Sequence, residues 1–289
     1  MVFGSIKHKP AILKSDRFTR KGRKTELSEY KMLESIPPTC VPYVVLLFNT
    51  IVFHAFRKVF LRFTPSALQI VTAEIIATLE LCSACAELGV AYEIHGYLGL
   101  GVGLLALCFW WCSVWGDAEA CPCGPFEECL FGNGLDAEVT KKLFGQAIGG
   151  AVTTLWINYI WSFHMNKEHE ELHSAAECQA GLQVHMAFGA LIEGIITLIS
   201  RVVALESVNW NPEISLSTNA IVTTVLVLAA TSTTGGFFNP VLATALTLGC
   251  RGNTLVEHIV VYWIGSLVGG FIGRYLFHLR HGYDKLKEV

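Results

Sequence analysis

Charge is what this sequence has least of. Asp, Glu, Lys and Arg make up 16% of its 289 residues, against roughly 25% in ordinary soluble domains. Length alone suggests about two soluble domains, but so little charge cannot cover two water-facing surfaces. No basic excess points to nucleic acid, since the formal net charge is −3, and no nucleic-acid partner is expected. No Asn-x-Ser/Thr sequon occurs, so nothing argues for a glycosylated exterior loop. Residues 1–31 are polar and basic, and no short apolar core with a small-residue cleavage site follows, so a signal peptide is not expected. Disorder is excluded too, because hydrophobic residues reach 52% and disorder requires few of them. Cysteine is plentiful, but the ten show no even, loop-borne spacing that suggests a disulfide framework. Most, including Cys82, Cys85, Cys108 and Cys112, lie in or beside apolar runs and read as small hydrophobic fillers.

What is present is a series of apolar runs near the roughly 20 residues a bilayer-crossing helix needs. Seven can be drawn: 41–60, 68–90, 97–115, 143–163, 183–204, 216–232 and 254–278. Two shorter segments, around 121–131 and 239–250, begin at Cys121-Pro122 and Asn239-Pro240. Proline starts a helix well, because its missing N–H would be unpaired there anyway. Both segments are too short to cross.

The chain also repeats itself. Glu74-Ile-Ile-Ala-Thr78-Leu79 resembles Glu193-Gly-Ile-Ile-Thr197-Leu198 at an offset of 119 residues. Glu74 precedes Cys121 by 47 residues, and Glu193 precedes Asn239 by 46. Three spans per half force the second half to enter from the opposite face, which makes an inverted repeat. Short interrupted segments at matching places in the two halves point to the transport pathway. With residue 68 starting inside, ten Lys and Arg fall on the cytoplasmic side, among them Arg57, Lys141, Arg201 and Arg274, and only Lys167 and Arg251 fall outside. Run 41–60 fits less well. Nine Lys and Arg precede residue 40, so a crossing would place a basic arm on the wrong side. An interfacial or re-entrant helix and a true seventh span both stay open. The expected organisation is a basic cytoplasmic or disordered tail (1–40), an extra apolar helix and linker (41–65), a first half-repeat (66–163), an exterior or lumenal loop (164–182), a second half-repeat (183–278) and a cytoplasmic tail (279–289).

The most specific motif is Thr234-Gly-Gly-Phe-Phe-Asn239-Pro240-Val241. Irregular backbone at membrane depth is tolerated only where it is buried or lines an aqueous cavity. A short helix starting at Asn239 aims unpaired N–H groups and a positive dipole end at such a cavity. The Asn239 amide can donate to a passing oxygen. Two such helices meeting end to end would pass neutral hydrogen-bonding solutes and repel cations and protons.

These features resemble the aquaporin (major intrinsic protein) family over about residues 66–278. The resemblance rests on the paired Glu-x-x-x-Thr repeats, the Asn-Pro-Val box after Thr-Gly, and Tyr262-Trp263-Ile264-Gly265 with Gly269 in the last span. It implies an all-α membrane protein, an inverted repeat of six transmembrane helices plus two half-helices, here with an extra N-terminal apolar helix. It implies a channel and not an enzyme, with no metal or cofactor, working as a homotetramer in the lipid bilayer on water and small neutral solutes such as glycerol or hydrogen peroxide. Exclusion of protons by half-helix dipoles or an Arg is a known device of aquaporin pores. The departures are specific. The first Asn-Pro-Ala box reads Cys121-Pro122-Cys123, Val241 replaces Ala in the second, and Leu242 stands where Arg is usual. These, with Cys250 nine residues beyond Val241, are similar to the unorthodox superaquaporin branch of aquaporin-11 and aquaporin-12, which Cys121, Cys123 and Cys250 would mark at or near the pore. By the resemblance the selectivity filter falls on Gly101, Val227, Gly236 and Leu242, a wider and less polar set than usual. Glu74 and Glu193 would brace the half-helix loops rather than bind solute.

Three further features are weighed beside this reading. His169-Glu170-Glu171-Leu172-His173 matches the H-E-x-x-H of zinc metalloproteases, but lies in a polar loop with no clear third ligand. Cys121, at a helix N-terminus, is a candidate redox or mercurial target. Lys285 and Lys287, fifth and third from the end, resemble an endoplasmic-reticulum retrieval signal, for which a plain solubilising tail is the alternative. They favour an endoplasmic-reticulum or other intracellular membrane over the plasma membrane. A carrier with alternating access and a glycerol or peroxide facilitator with little water flux are the remaining transport alternatives.

Overall fold

The computed structural model describes residues 36–132, 134–175 and 178–281. The tail before residue 36 and the pair Lys285 and Lys287 lie outside the described residues. Among these residues the regular structure is helical, apart from a two-residue bridge, Gln179 with Arg251. A single 3-10 turn at Pro38–Cys40 leads into α1, Val41–Phe63. Helix α2 runs Ser66–Val114 and is two helices joined at Gly96, whose φ of 61° only glycine adopts without strain. The two limbs, 66–95 and 97–114, coincide with two of the apolar runs. Then follow α3 (Cys123–Phe131), α4 (Ala137–Trp161), α5 (Lys167–Ser174), α6 (Met186–Ser207), α7 (Pro212–Ala230), α8 (Pro240–Thr247) and α9 (Leu255–His281). Helix α9 contains a π-helical stretch, Ile259–Gly265.

Five helices (α1 with its leading turn, the double helix α2, α6, α7 and α9) are long and apolar enough to cross a membrane. Helix α4 has 25 residues, a crossing length, but carries Lys141, Lys142, Gln146 and Asn158 and is more polar. Many large apolar side chains face outward, among them Leu47, Leu98, Leu155, Ile214 and Leu279. On a soluble protein so many would form an interaction patch; on these helices they make the surface a bilayer solvates.

Small residues decide which helices touch. Gly145 and Gly149 let α4 lie on the first limb of α2, where a Cβ at Gly145 would fall 2.7 Å from Glu74 Cβ and from the Val71 carbonyl oxygen. Gly265 and Gly269 do the same for α9 on α6, where a Cβ at Gly269 would overlap the Gly194 carbonyl. Close approach through small residues is how helices associate where no hydrophobic effect separates them from lipid.

Helix α1 runs antiparallel to the first limb of α2. Tyr43 meets His95 with ring centroids 5.5 Å apart, while Arg57 bonds Glu80 at 2.7 Å. Its other neighbour is α4, where Trp156 Nε1 donates to Asn49 Oδ1 at 3.1 Å and packs on Phe53. The helix is continuous and neither turns back nor lies across the bundle ends. Residue 36 therefore sits at the end of the bundle that also holds Gly96 and Trp161.

Candidate functional site

The two short helices α3 and α8 begin beside one another. Asn239 is the N-cap of α8, and Pro240 its first residue. Its Oδ1 accepts from the backbone N–H groups of Val241 and Leu242, at 3.1 and 3.3 Å. Its Nδ2 donates to the Ala120 carbonyl at 2.8 Å, just before the first box. One of the two amide hydrogens that the sequence offered to a passing solute is thus engaged in joining the two halves. The first box has no such cap: Pro122 is the N-cap of α3 and no side chain accepts from its first turn.

Each loop leading to a box is held by one carboxylate. Glu74, 1% exposed, accepts from the N–H groups of Glu119 and Ala120 at 2.9 and 3.0 Å, and from Gln146 Nε2 at 3.1 Å. Glu193, fully buried, accepts from the N–H groups of Phe237 and Phe238 at 3.2 and 2.6 Å, and from the Thr234 hydroxyl. Ala120 and Phe238, immediately before the boxes, both take positive φ, 51° and 32°. Strained backbone of this kind survives only where its surroundings fix it, and the two carboxylates do so at equivalent places.

A cavity of about 510 Å³ runs past this junction. Of the sequence-selected residues, Cys121, Asn239, Val227, Gly236 and Leu242 line it. Pro122, Cys123, Pro240 and Val241 do not, and Cys123 and Val241 are buried beside it. Gly101 is also outside the lining, because it faces the Leu228 side chain; from that limb Leu100 and Leu104 line the cavity instead. Three cysteines read as filler, Cys85, Cys108 and Cys112, face the cavity, whereas Cys82 is wholly buried elsewhere. The remaining wall is mainly apolar, and its polar side chains are Tyr92, Glu119, Asn219, Thr223 and Asn239. At one end Lys142 Nζ bonds Glu119 at 2.9 Å, and Arg201 bonds the buried Glu127 of α3 at 2.6 Å.

One expectation needs correction. Cys250 is not a free thiol of the pore. It is disulfide-bonded to Cys178, 72 residues earlier. The loop after α5 is laid along the exit of α8, with Arg251 N donating to the Cys178 carbonyl and Ala180 N to the Arg251 carbonyl. The general dismissal of disulfides therefore fails at this pair, because the fold and not the spacing brings the two together. The H-E-x-x-H segment is built otherwise than a metal site. His169 is fully buried, with Nε2 2.8 Å from Glu87 Oε1 and its ring on Trp161. His173 pairs with His164 instead. Among the described residues no group of three or more His, Cys, Asp or Glu could hold a metal ion. On the same helix Lys167 bonds Glu171 at 3.1 Å, and that carboxylate raises the lysine's pKa.

No protein-family model matches the chain. Sequence relatives are nonetheless consistent. It is 26% identical to aquaporin-11 of Milnesium tardigradum over 77% of this chain and 82% of the relative. It is 28% identical to aquaporin-11 of Equus caballus (68% and 72%) and 28% identical to aquaporin-12 of Mus musculus (71% and 73%). The fold matches the crystal structure of the aquaglyceroporin from Plasmodium falciparum, with a TM-score of 0.58 at 14% identity, over 76% of this chain and all of the other. The chain is similar to aquaporins both in sequence and in fold. Its apolar helices and these relatives mark it as an integral membrane protein, and the likeness is to channels rather than enzymes. Its sequence similarity runs to aquaporin-11 and aquaporin-12 proteins, as the altered boxes suggested.

Proposed function

We propose that the protein is a passive channel for water and small neutral solutes, glycerol and hydrogen peroxide among them. The observation that carries this reading is the Asn239–Ala120 junction beside the cavity: two helix N-termini face one place, and solute has room to pass it. Helix N-termini offer N–H donors and a positive potential there, which favours a solute oxygen and opposes a cation. Val227, Gly236 and Leu242 set the width, and Glu74 and Glu193 hold the loops. The lining supports a weakly selective pore. Without a wall Arg, cation exclusion falls to the dipoles and Asn239, and a thiol at Cys121 is a poor donor beside an amide. A glycerol or peroxide facilitator with little water flux is the second reading, favoured by the apolar wall. The chain is read as six crossings and two half-helices assembled as a homotetramer, with α1 as a seventh crossing.

Positive charge places the Arg57, Lys142 and Arg201 end in the cytoplasm. The disulfide end then faces an oxidising exterior or lumen, where such bonds persist, and residue 36 enters from that side. An intracellular membrane such as the endoplasmic reticulum, addressed by Lys285 and Lys287, fits this arrangement. Parallel water, glycerol and peroxide flux in proteoliposomes tests the function. Wild type is expected to exceed empty vesicles for at least one solute without saturating at millimolar concentration, and Asn239→Asp to lower that flux. Saturation with steep temperature dependence would instead indicate a carrier. No flux of any of the three would remove the reading.

A further inference from the structure

The extra helix α1 is tied to the cavity wall through a buried charge. Glu80, on the first limb of α2, is fully buried. It accepts from Arg57 Nη2 of α1 at 2.7 Å, from Trp110 Nε1 at 2.9 Å and from Trp115 Nε1 at 3.0 Å. Trp115 stacks on Trp111, with centroids 5.3 Å apart and planes at 27°, and both indoles line the cavity. Three links thus run from α1 to the solute path: Arg57 to Glu80, Glu80 to Trp115, Trp115 to Trp111. The aquaporin-like core alone does not explain Glu80. A carboxylate inside a membrane protein is costly unless it is paired, and its cation comes from a helix outside the inverted repeat.

We propose that Arg57 and Glu80 are positioning residues for the Trp115 side chain, holding it flat against the cavity wall so that the path stays open. This rests on the channel reading above. The geometry sets the direction of the effect. Trp115 is the C-cap of α2, beyond which the helix no longer packs its side chain from the next turn, and its indole N–H donates to the buried Glu80 carboxylate. Arg57 supplies the counter-charge to that acceptor, at 2.7 Å. Among the described residues its Nε and Nη1 have no partner, so the bond to Glu80 is its main compensation for burial.

The test removes both charges together, because one alone would leave the other stranded. Exchanging a buried pair for apolar residues is often neutral for stability. Arg57→Met/Glu80→Leu is expected to reach the membrane with a modestly lower melting temperature, because the Trp110 indole N–H loses its acceptor, and to lose about threefold in water or glycerol flux as the untethered indole enters the path. Adding Trp115→Ala should restore the flux, which a merely structural role would not do. Trp115→Phe keeps the ion pair and removes the indole N–H with one ring of the side chain; the untethered phenyl should lower flux in the same direction and serves if the double variant fails to fold. Maleimide labelling of Cys112, the cavity-lining thiol one turn before Trp115, gives a flux-independent readout by peptide mass mapping. It should slow in the double variant and recover with Trp115→Ala. Unchanged flux and labelling in the double variant, or no recovery on removing the indole, would overturn the proposal. A wild-type protein silent to every solute would overturn the channel reading instead, and the labelling would still decide the tether.

Discussion

The two halves of the protein solve one problem with different side chains. In both, a carboxylate on the first helix of the repeat accepts two successive N–H groups from the loop that re-enters the bundle: Glu74 from Glu119 and Ala120, Glu193 from Phe237 and Phe238. In both, the residue before the box takes positive φ. They part at the box itself. Asn239 caps α8 and reaches across to Ala120, whereas Cys121 caps nothing and α3 begins without a side-chain acceptor. The second half also carries a covalent tie at Cys178–Cys250, and the first half carries α1 with its buried Arg57. The scaffold is therefore symmetric and the reinforcement is not. The amide of the second half serves both boxes, and each half has its own added support.

The strongest way to break this comparison is to remove the two braces in turn. Glu193 is sealed from solvent, so Glu193→Ala strands the Thr234 hydroxyl and two N–H groups, at about 1–3 kcal/mol each. Glu74→Ala should cost less, since one of its three donors, Gln146 Nε2, keeps the Cys121 carbonyl as an acceptor at 3.3 Å. Thermal unfolding in detergent should show Glu193→Ala as the more damaging; equal losses would mean the halves are braced alike.

The disulfide comes next. Cys250→Ser should lower stability by about 2–4 kcal/mol, and reducing agent should do the same to wild type but not to the variant. The smallest change sharpens the contrast at the boxes. Cys121→Asn offers an acceptor one residue before the N-cap Pro122 and should add at most about 1 kcal/mol, while moving water flux towards that of a pore with two amides. No gain in melting temperature would show that α3 begins in a geometry no Asn can cap.

The periodic features were legible in the sequence, and the lateral ones were not. Glu74, Glu193 and the two Pro-started segments recur at nearly one spacing, so the inverted repeat and the meeting of α3 with α8 follow from arithmetic along the chain. Which face of a helix meets the cavity does not. The limbs of α2 are apolar around their whole circumference, so nothing in the sequence separated the cavity-facing Cys85, Cys108 and Cys112 from the buried Cys82, or Leu100 and Leu104 from Gly101. The partner of Cys250 was hidden for a related reason. Cys178 stands in a polar loop far away along the chain, and only the return of α8 brings it near. The orientation of α1 was undecided because its basic neighbours argue against a crossing. Its attachment through Arg57, Asn49 and Tyr43 is a matter of partners on other helices.

The Cys178–Cys250 bond also changes what the chain is as a thread. It closes a covalent ring around α6, α7 and α8, the very helices that contain Glu193, Val227 and Asn239. A translocating machine drawing the polypeptide out of the membrane from either end would meet a doubled strand at that ring. Unthreading this half from end to end then requires that the Cys178–Cys250 bond be reduced first.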